Sequence, residues 1–367
     1  MLPRSERALE VVHRSGAAGL LAAHPSTVTW LTGYAPAIDA GPSPFAVPPL
    51  AVLTDEGTEL ILSQDEVPAA AGLPCRVHAY PGYGLGKLDP VGHARSILAR
   101  VAGGRRLLSE RAHLPAALAD GLELVEVGDR LGAARAVKDP DEVRALRAAL
   151  AVNAAGQAAA HRLATPGSTE LEVWAGVRGA METAAGSPVP LLADFISGPR
   201  TAGVEGPPTD RELEPGDLLI SDLALRVGGY WADTCTTVVV GEAGAEEQAA
   251  YARVHARLCE VIDAVRPGMT AGGLDTLVRG GLDYPHHSGH GLGTGYHEEP
   301  RIVPGSPAVL APGMVLALEP GLYTDSFGVR LEHVVQVTED SCELLSSHSI
   351  RPDGVPSPID PAEETAT

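Results

Sequence analysis

Along residues 1–135 the apolar positions alternate between short continuous runs and stretches spaced as on a helix. Residues 18–23 form one apolar run, which predicts a short buried strand. Residues 50–54 and 59–63 are apolar runs flanking Asp55-Glu56-Gly57-Thr58, which predicts a hairpin. Asp89-Pro90 supplies an N-cap and a first-turn proline for a helix to about residue 101, and Gly103-Gly104 stops it. Residues 105–109 and 122–127 are further strand candidates. The expectation is a mixed sheet with helices, an α/β domain without a chemical motif. Residues 35–49 carry five prolines and read as an ordered loop or a flap near an interface.

The pattern changes near Val137. Asp139-Pro140-Asp141-Glu142 is a strong helix start, with an acidic N-cap, proline at the first helical position and glutamate placed for a capping box. An alanine-rich helix should follow to about residue 163. We therefore expect domains at 1–136 and 137–350. Residues 351–367, rich in proline and acid with almost no apolar positions, read as a disordered tail.

An internal repeat organises the second domain. Pro166-Gly167-Ser168-Thr169 recurs 101 residues later as Pro267-Gly268-Met269-Thr270. The run from Leu213 to Asp222, LEPGDLLISD, parallels that from Leu310 to Glu319, LAPGMVLALE, 97 residues on. Each half thus reads as helix, PGxT turn, helix, then a PG turn into an apolar strand ending on a carboxylate. A second carboxylate follows in each half, Asp233 and Glu332, at gaps that suit antiparallel hairpins. Two such hairpins facing one another would point four carboxylates into one cleft.

Composition narrows the function. The 27 Lys+Arg against 47 Asp+Glu give a formal net charge of −20, which argues against nucleic-acid or anionic-membrane partners, because phosphate binding needs a basic patch. The only lysines are Lys87 and Lys138. The 4 cysteines are far apart and form no CxxC pair, so neither a disulfide framework nor a thiolate metal site is expected. The N-terminal residues have no apolar signal core, and no apolar run approaches the ~20 residues of a membrane span. The expected compartment is the cytoplasm.

Four converging carboxylates in a partly buried cleft cannot all stay ionised without an offsetting charge. A pair of divalent metal ions supplies it. Carboxylates with one imidazole suit Mn²⁺, with Co²⁺ or Zn²⁺ also accommodated. The imidazole comes from His286-His287-Ser288-Gly289-His290-Gly291-Leu292-Gly293, whose glycines are expected to let a backbone approach the metals closely.

That segment, followed by His297-Glu298-Glu299-Pro300, resembles the HGxGHGxG…HEEP motif of the metallopeptidase family that includes Xaa-Pro aminopeptidases, prolidases and creatinases. Glu319-Pro320-Gly321-Leu322-Tyr323 looks like its EPGxY, and Gly328-Val329-Arg330-Leu331-Glu332 like its GxRxE. Asp222-Leu223-Ala224 and Asp233-Thr234-Cys235-Thr236-Thr237 are similar to its DxG and DxTRT segments. The resemblance covers residues 137–349, and more weakly the first domain through Trp30-Leu31-Thr32-Gly33-Tyr34. It implies an α+β pita-bread fold after a smaller creatinase-type N-terminal domain, in a homodimer. It also implies two metal ions on Asp222, Asp233, His290, Glu319 and Glu332, with Asp233 and Glu332 shared. A metal-bridged water would be the nucleophile. Glu319 would carry its proton to the leaving nitrogen, His297 would hydrogen-bond the oxyanion, and His286 would line the leaving-group side. Arg330, two residues before Glu332 and expected on the same strand, would orient a carboxylate. The implied activity is hydrolysis of short Xaa-Pro peptides.

Several positions depart from the family pattern. Cys235 and Thr236 replace Thr and Arg in DxTRT; Cys235 reads as a small buried strand residue. His333 replaces the usual Asp or Asn, and alternation points it away from the metals. His287 and His333 read as residues that support the ligands from behind or as structural ones, and His24, His93 and His255 as solvated or structural. Glu205 stands where the family carries a substrate-site histidine. An ionised carboxylate only accepts hydrogen bonds, so Glu205 is expected to redirect substrate choice. That leaves a creatinase-like hydrolase of another C–N bond in a small amide as the alternative, and a non-catalytic binding module as a third reading.

Overall fold

The computed structural model describes residues 3–35, 43–352 and 354. It divides into two compact units, Met1–Arg135 and Ala136–Thr367. Most of the tail, and residues 36–42 of the proline-rich stretch, lie outside the described residues.

The first unit is built on a six-stranded mixed sheet. Its strands are β1 (Gly19–Ala22), β2 (Leu50–Thr54), β3 (Gly57–Ser63), β4 (Arg76–Tyr80), β5 (Arg106–Ser109) and β6 (Glu123–Glu126), in the order β4-β3-β2-β1-β5-β6. Helices α1 (Arg4–Arg14), α2 (Pro25–Thr32), α3 (Pro90–Ala102), α4 (Ala116–Ala119) and α5 (Arg130–Ala136) complete it. The expected hairpin forms, but Thr54 pairs with Gly57, so β3 starts two residues early and only Asp55 and Glu56 make the turn. The α3 signals act as read: Asp89 accepts from the Gly92 N–H, and Gly103 takes the left-handed conformation at φ 56°. β4 escaped the sequence reading because it is an edge strand with only Tyr80 buried.

The second unit carries the repeat. Its first half is α6 (Pro140–Leu163), α7 (Glu170–Ala185) and a three-stranded sheet of β7 (Leu191–Ser197), β8 (Leu218–Val227) and β9 (Tyr230–Val239). The second half opens with α8 (Ala245–Ala264) and α9 (Ala271–Arg279). Then come β10 (Gly289–Gly291), β11 (Glu298–Ile302), β12 (Val315–Leu318), β13 (Gly321–Tyr323), β14 (Gly328–Arg330), β15 (His333–Val337) and β16 (Cys342–Leu344). Five of these strands form a sheet in the order β11-β10-β12-β15-β16, and β13 and β14 form a separate ribbon. Asp139 caps α6 on the Asp141 and Glu142 N–H groups, and the Glu142 carboxylate returns to the Asp139 N–H at 2.9 Å.

The pseudosymmetry extends to single hydrogen bonds. Gly167 N–H donates to Leu213 and Gly268 N–H to Leu310, each at 2.9 Å. Thr169 and Thr270 cap α7 and α9. The halves differ where the expected strand ends on its carboxylate. β12 stops at Leu318, just before Glu319, whereas β8 runs through Asp222 to Val227. The β13–β14 ribbon is inserted between Glu319 and Glu332, so Arg330 and Glu332 do not share a strand: β14 ends at Arg330 and β15 begins after Glu332.

Helices cover the rear of each sheet. Leu146, Leu150, Val173, Val177 and Met181 pack on Leu219, Leu223 and Val238. Val254, Leu258, Leu274 and Val278 pack on Leu316, Leu318 and Val335. Two buried amides from α6 also clamp the β8–β9 hairpin. Asn153 donates to the Leu223 carbonyl at 2.6 Å, and Gln157 to those of Ser221 and Thr234 at 3.1 and 2.8 Å. Among the described residues no helix is long and apolar enough to cross a membrane.

Candidate functional site

Strand register brings the first carboxylates together. Asp222 faces Cys235 and Ala224 faces Asp233 across β8–β9, so Asp222 and Asp233 project from the same face. Asp194 of β7 sits opposite Asp222 and shares that face. From the other half, Glu319 follows β12 and Glu332 precedes β15, their neighbours Leu318 and His333 being paired. His290 lies in β10. All five candidate ligands line one cleft of about 290 Å³, with His286, His287, His297, Glu205, Asp194 and Arg330 among its other walls.

Two glycines of the histidine segment are demanded by the neighbouring strands. A side chain at Gly289 would collide with the Ala317 carbonyl of β12, and one at Gly291 with the Glu299 carbonyl of β11. They let β10 squeeze between two neighbouring strands; it is the strand packing that aims His290.

His290 is 1% exposed. Its Nδ1 bonds the Gly291 carbonyl at 2.9 Å, which assigns the proton there and leaves Nε2 as a lone-pair donor. That Nε2 stands 3.7 Å from Asp233 and 3.8 Å from Glu319. Asp233, His290 and Glu332 offer ligand atoms all within 4.8 Å of one another. The buried Oε1 of Glu332 has no hydrogen-bond partner.

Electrostatics explain what such a cluster lacks. Burial, then the opposing pull of Arg330 and the repulsion of Glu319 and Asp194, raises the Asp222 carboxyl to about 6. Asp233 and Glu332 are pushed well above the usual carboxylate range, chiefly by burial and then by neighbouring carboxylates. Glu319 goes the other way. Burial raises it, but a hydrogen bond from His287 and the neighbouring imidazoles more than reverse that. Asp233 and Glu332 thus favour their protonated forms, a preference that a bound cation would reverse. The orphaned Glu332 oxygen and the carboxylate–imidazole donor set fit divalent metal ions.

Arg330 is the hub on the Asp222 side. Its guanidinium reaches Asp222 at 2.7 Å, Asp194 at 3.2 Å, the Val204 carbonyl at 3.1 Å and the Tyr323 hydroxyl at 3.2 Å. Val204 is the one non-glycine residue with positive φ among those described, at 72°, a strained state for a β-branched side chain. It turns the chain so that Glu205 is exposed at the cleft wall. The segment is anchored below by buried Glu170, which accepts from the Ser197 and Thr209 N–H groups, both at 2.8 Å, and from Arg200.

The histidines divide by their partners. His286 bonds the His287 carbonyl through Nδ1 at 2.7 Å and the Tyr323 hydroxyl through Nε2 at 3.0 Å, so both nitrogens are engaged. His287 reaches Glu319 at 2.8 Å, inside the cleft, and so stands behind a candidate ligand, one of the two places expected of it. His297 stands at the cleft mouth with its ring against His290, 4.2 Å between centroids. Burial of that ring, with His290 and His287 beside it, lowers its pKa to about 3 and keeps it neutral. Beside it, buried Lys138 pairs with Glu298 at 2.9 Å and fixes the turn into β11. His333 bonds Ser346 at 2.7 Å and points away from the cleft, as alternation implied. Cys235 is fully buried, its thiol 3.4 Å from the Arg330 carbonyl.

Residues 144–339, more than half of the chain and inclusive of all five candidate ligands, match the model of metallopeptidase family M24. The chain belongs to that family. This M24 chain is 36% identical over 243 residues to the probable dipeptidase PepE of Mycobacterium tuberculosis, 64% of each chain. It is 34% identical over 233 residues to the Xaa-Pro dipeptidase of Pyrococcus furiosus, 61% of this chain and 67% of that one. The aligned stretch therefore spans under two thirds of the mycobacterial relatives' length. The fold extends further. The prolidase of Pyrococcus horikoshii OT3 superposes with a TM-score of 0.81 at 24% identity, over 96% of this chain and 99% of that one. The pita-bread fold with a preceding α/β domain is thus shared over nearly the whole M24 chain.

Two residues were not singled out by sequence: Asp194 in the cleft wall, and Tyr323 as the bonding group behind His286 and Arg330. The tyrosine of Glu319-Pro320-Gly321-Leu322-Tyr323 was a visible signal. Asp194 had none, since its place depends on the β7–β8 register.

Proposed function

We propose that this chain is a dinuclear-metal hydrolase of short peptides, of the Xaa-Pro aminopeptidase or prolidase type. The observation that carries the reading is a buried Glu332 oxygen without a partner, set among three further carboxylates and one imidazole nitrogen. Family membership and the names of the relatives support it. Asp222, Asp233, His290, Glu319 and Glu332 would hold two divalent cations, Mn²⁺ first, Co²⁺ or Zn²⁺ otherwise, with Asp233 and Glu332 common to both. Two cations there would lower the pKa of a shared water and polarise the scissile carbonyl.

The chain's own residues do the rest. Glu319, held ionised by His287, takes a proton at its carboxylate and passes it to the leaving nitrogen. Neutral His297 at the mouth donates an N–H to the developing oxyanion. Arg330 keeps Asp222 ionised and oriented. His286, braced by Tyr323, forms the wall on the leaving-group side. Glu205 adds a carboxylate to the wall and favours substrates with a cationic group over neutral ones.

Elemental analysis of protein purified with Mn²⁺ should find two ions per chain, and Asp233→Asn and Glu332→Gln should each lose both, because each serves both ions. The wild type should release the N-terminal residue from Xaa-Pro dipeptides. Full metal retention in both variants would refute the shared-ligand roles. Hydrolysis confined to non-proline amides would favour the creatinase-like reading for which Glu205 is the motive.

A further inference from the structure

The dinuclear reading uses one imidazole as a ligand, yet three converge. His287 precedes β10, His290 lies within it and His297 precedes β11. The β10–β11 pairing, with Gly289 opposite Ile302 and Gly291 opposite Glu298, folds this segment back on itself. The ring nitrogens of the three histidines all lie within 4.8 Å of one another. Their ring centroids are 5.3 Å apart for His287–His290, 5.1 Å for His287–His297 and 4.2 Å for His290–His297. They form a second ligand group that shares only His290 with the carboxylate group of Asp233 and Glu332.

We propose that His287, His290 and His297 form a site for a single Zn²⁺ ion, distinct in its donors from the carboxylate pair. Three neutral imidazoles with a fourth position open to water is a donor set that Zn²⁺ takes in tetrahedral geometry, with Zn–N bonds of about 2.0–2.1 Å. Imidazole suits Zn²⁺, whereas carboxylate and water suit Mn²⁺, so the two groups differ in preference. Ligand nitrogens on such an ion stand about 3.4 Å apart, so the rings must close by up to about 1.4 Å from the 4.8 Å limit. His297 has room to do this at the open mouth, and so has His287, whose side chain is 18% exposed and which gives up its 2.8 Å contact with Glu319 in doing so. Because His290 belongs to both groups, Zn²⁺ on the imidazoles withdraws His290 and His297 from peptide hydrolysis. Excess Zn²⁺ then inhibits; that consequence, unlike the binding, rests on the dinuclear reading.

The test measures Zn²⁺ binding to the full chain by equilibrium dialysis, in Asp222→Asn/Glu332→Gln and in the same double variant carrying His287→Asn. The double variant should still bind one Zn²⁺, and His287→Asn should weaken that binding by at least about tenfold, the lower bound for losing even an outer partner of a ligand. Substitution with Co²⁺ should give the intense visible absorption of a tetrahedral site, lost with His287. Should the double variant fold poorly, the wild type and its His287→Asn variant give the same comparison by Co²⁺ absorption. Zn²⁺ affinity and Co²⁺ absorption indifferent to His287 would overturn the site. Mn²⁺ occupancy of the wild type reports separately on the dinuclear reading: two Mn²⁺ with His287-indifferent Zn²⁺ sinks only the imidazole site, and fewer than two Mn²⁺ with His287-dependent Zn²⁺ sinks only the pair.

Discussion

Replacing Arg330 by methionine keeps much of the side-chain volume and removes one charge. That charge is 3% exposed and is shared by Asp222 at 2.7 Å and Asp194 at 3.2 Å, side chains 18% and 29% exposed. Removing one partner of a buried pair costs about 3–5 kcal/mol, because the other charge stays buried without compensation. The loss of the bonds to the Val204 carbonyl and the Tyr323 hydroxyl adds to it, while the partial exposure of Asp194 subtracts. The net expectation for metal-free protein is about 3 kcal/mol at pH 8. At pH 5 the cost should shrink. The Asp222 carboxyl already sits at about 6 with Arg330 present, rises further without it, and is then protonated. Asp194→Asn added to Arg330→Met should recover part of the loss, since one of the two stranded charges is gone. Urea unfolding of the chelator-treated variants at both pH values measures all three quantities. A cost under about 1 kcal/mol at pH 8, or one independent of pH, would refute the claim that Arg330 compensates these carboxylates.

Acid stability should depend on Glu170. Burial raises its pKa, but hydrogen bonds from Ser197, Thr209 and Arg200 more than reverse this and leave it below the ordinary 4.5. Its contribution is therefore complete above that value and lost as pH falls through the lower folded one. Glu170→Gln should be less stable at neutral pH and lose less between neutrality and pH 3, and equal acid slopes in urea titrations would remove Glu170 from the account. His297→Asn should retain its metal by elemental analysis and lose roughly 10²–10³ in kcat, whereas His290→Asn should lose metal and activity together. Glu205→His should raise kcat/KM on neutral Xaa-Pro dipeptides, and Glu205→Gln should harm a cationic substrate more than a neutral one; a panel on which all three proteins behave alike would strip Glu205 of functional weight.

The sequence by itself determined whatever depends on neighbours a few residues away. Asp139, Pro140 and Glu142 set the start of α6 because a cap bonds N–H groups within its own first turn. The hairpin around Asp55 and the stop at Gly103 are equally local. The repeat also exposed the four carboxylates, since duplicated turns lead into duplicated strands, and those carboxylates do converge with His290 in one cleft. Only the tertiary structure decided which chains run side by side. Register between β7 and β8 sets Asp194 beside Asp222, and the inserted β13–β14 ribbon, not a shared strand, carries Arg330 to both. Crowding of β10 between β11 and β12 requires glycine at 289 and 291. The pairing of β10 with β12 turns His287 into a partner of Glu319 and a wall of the cleft. These placements rest on bonds between segments far apart in the chain, and no local pattern encodes the register in which such segments meet.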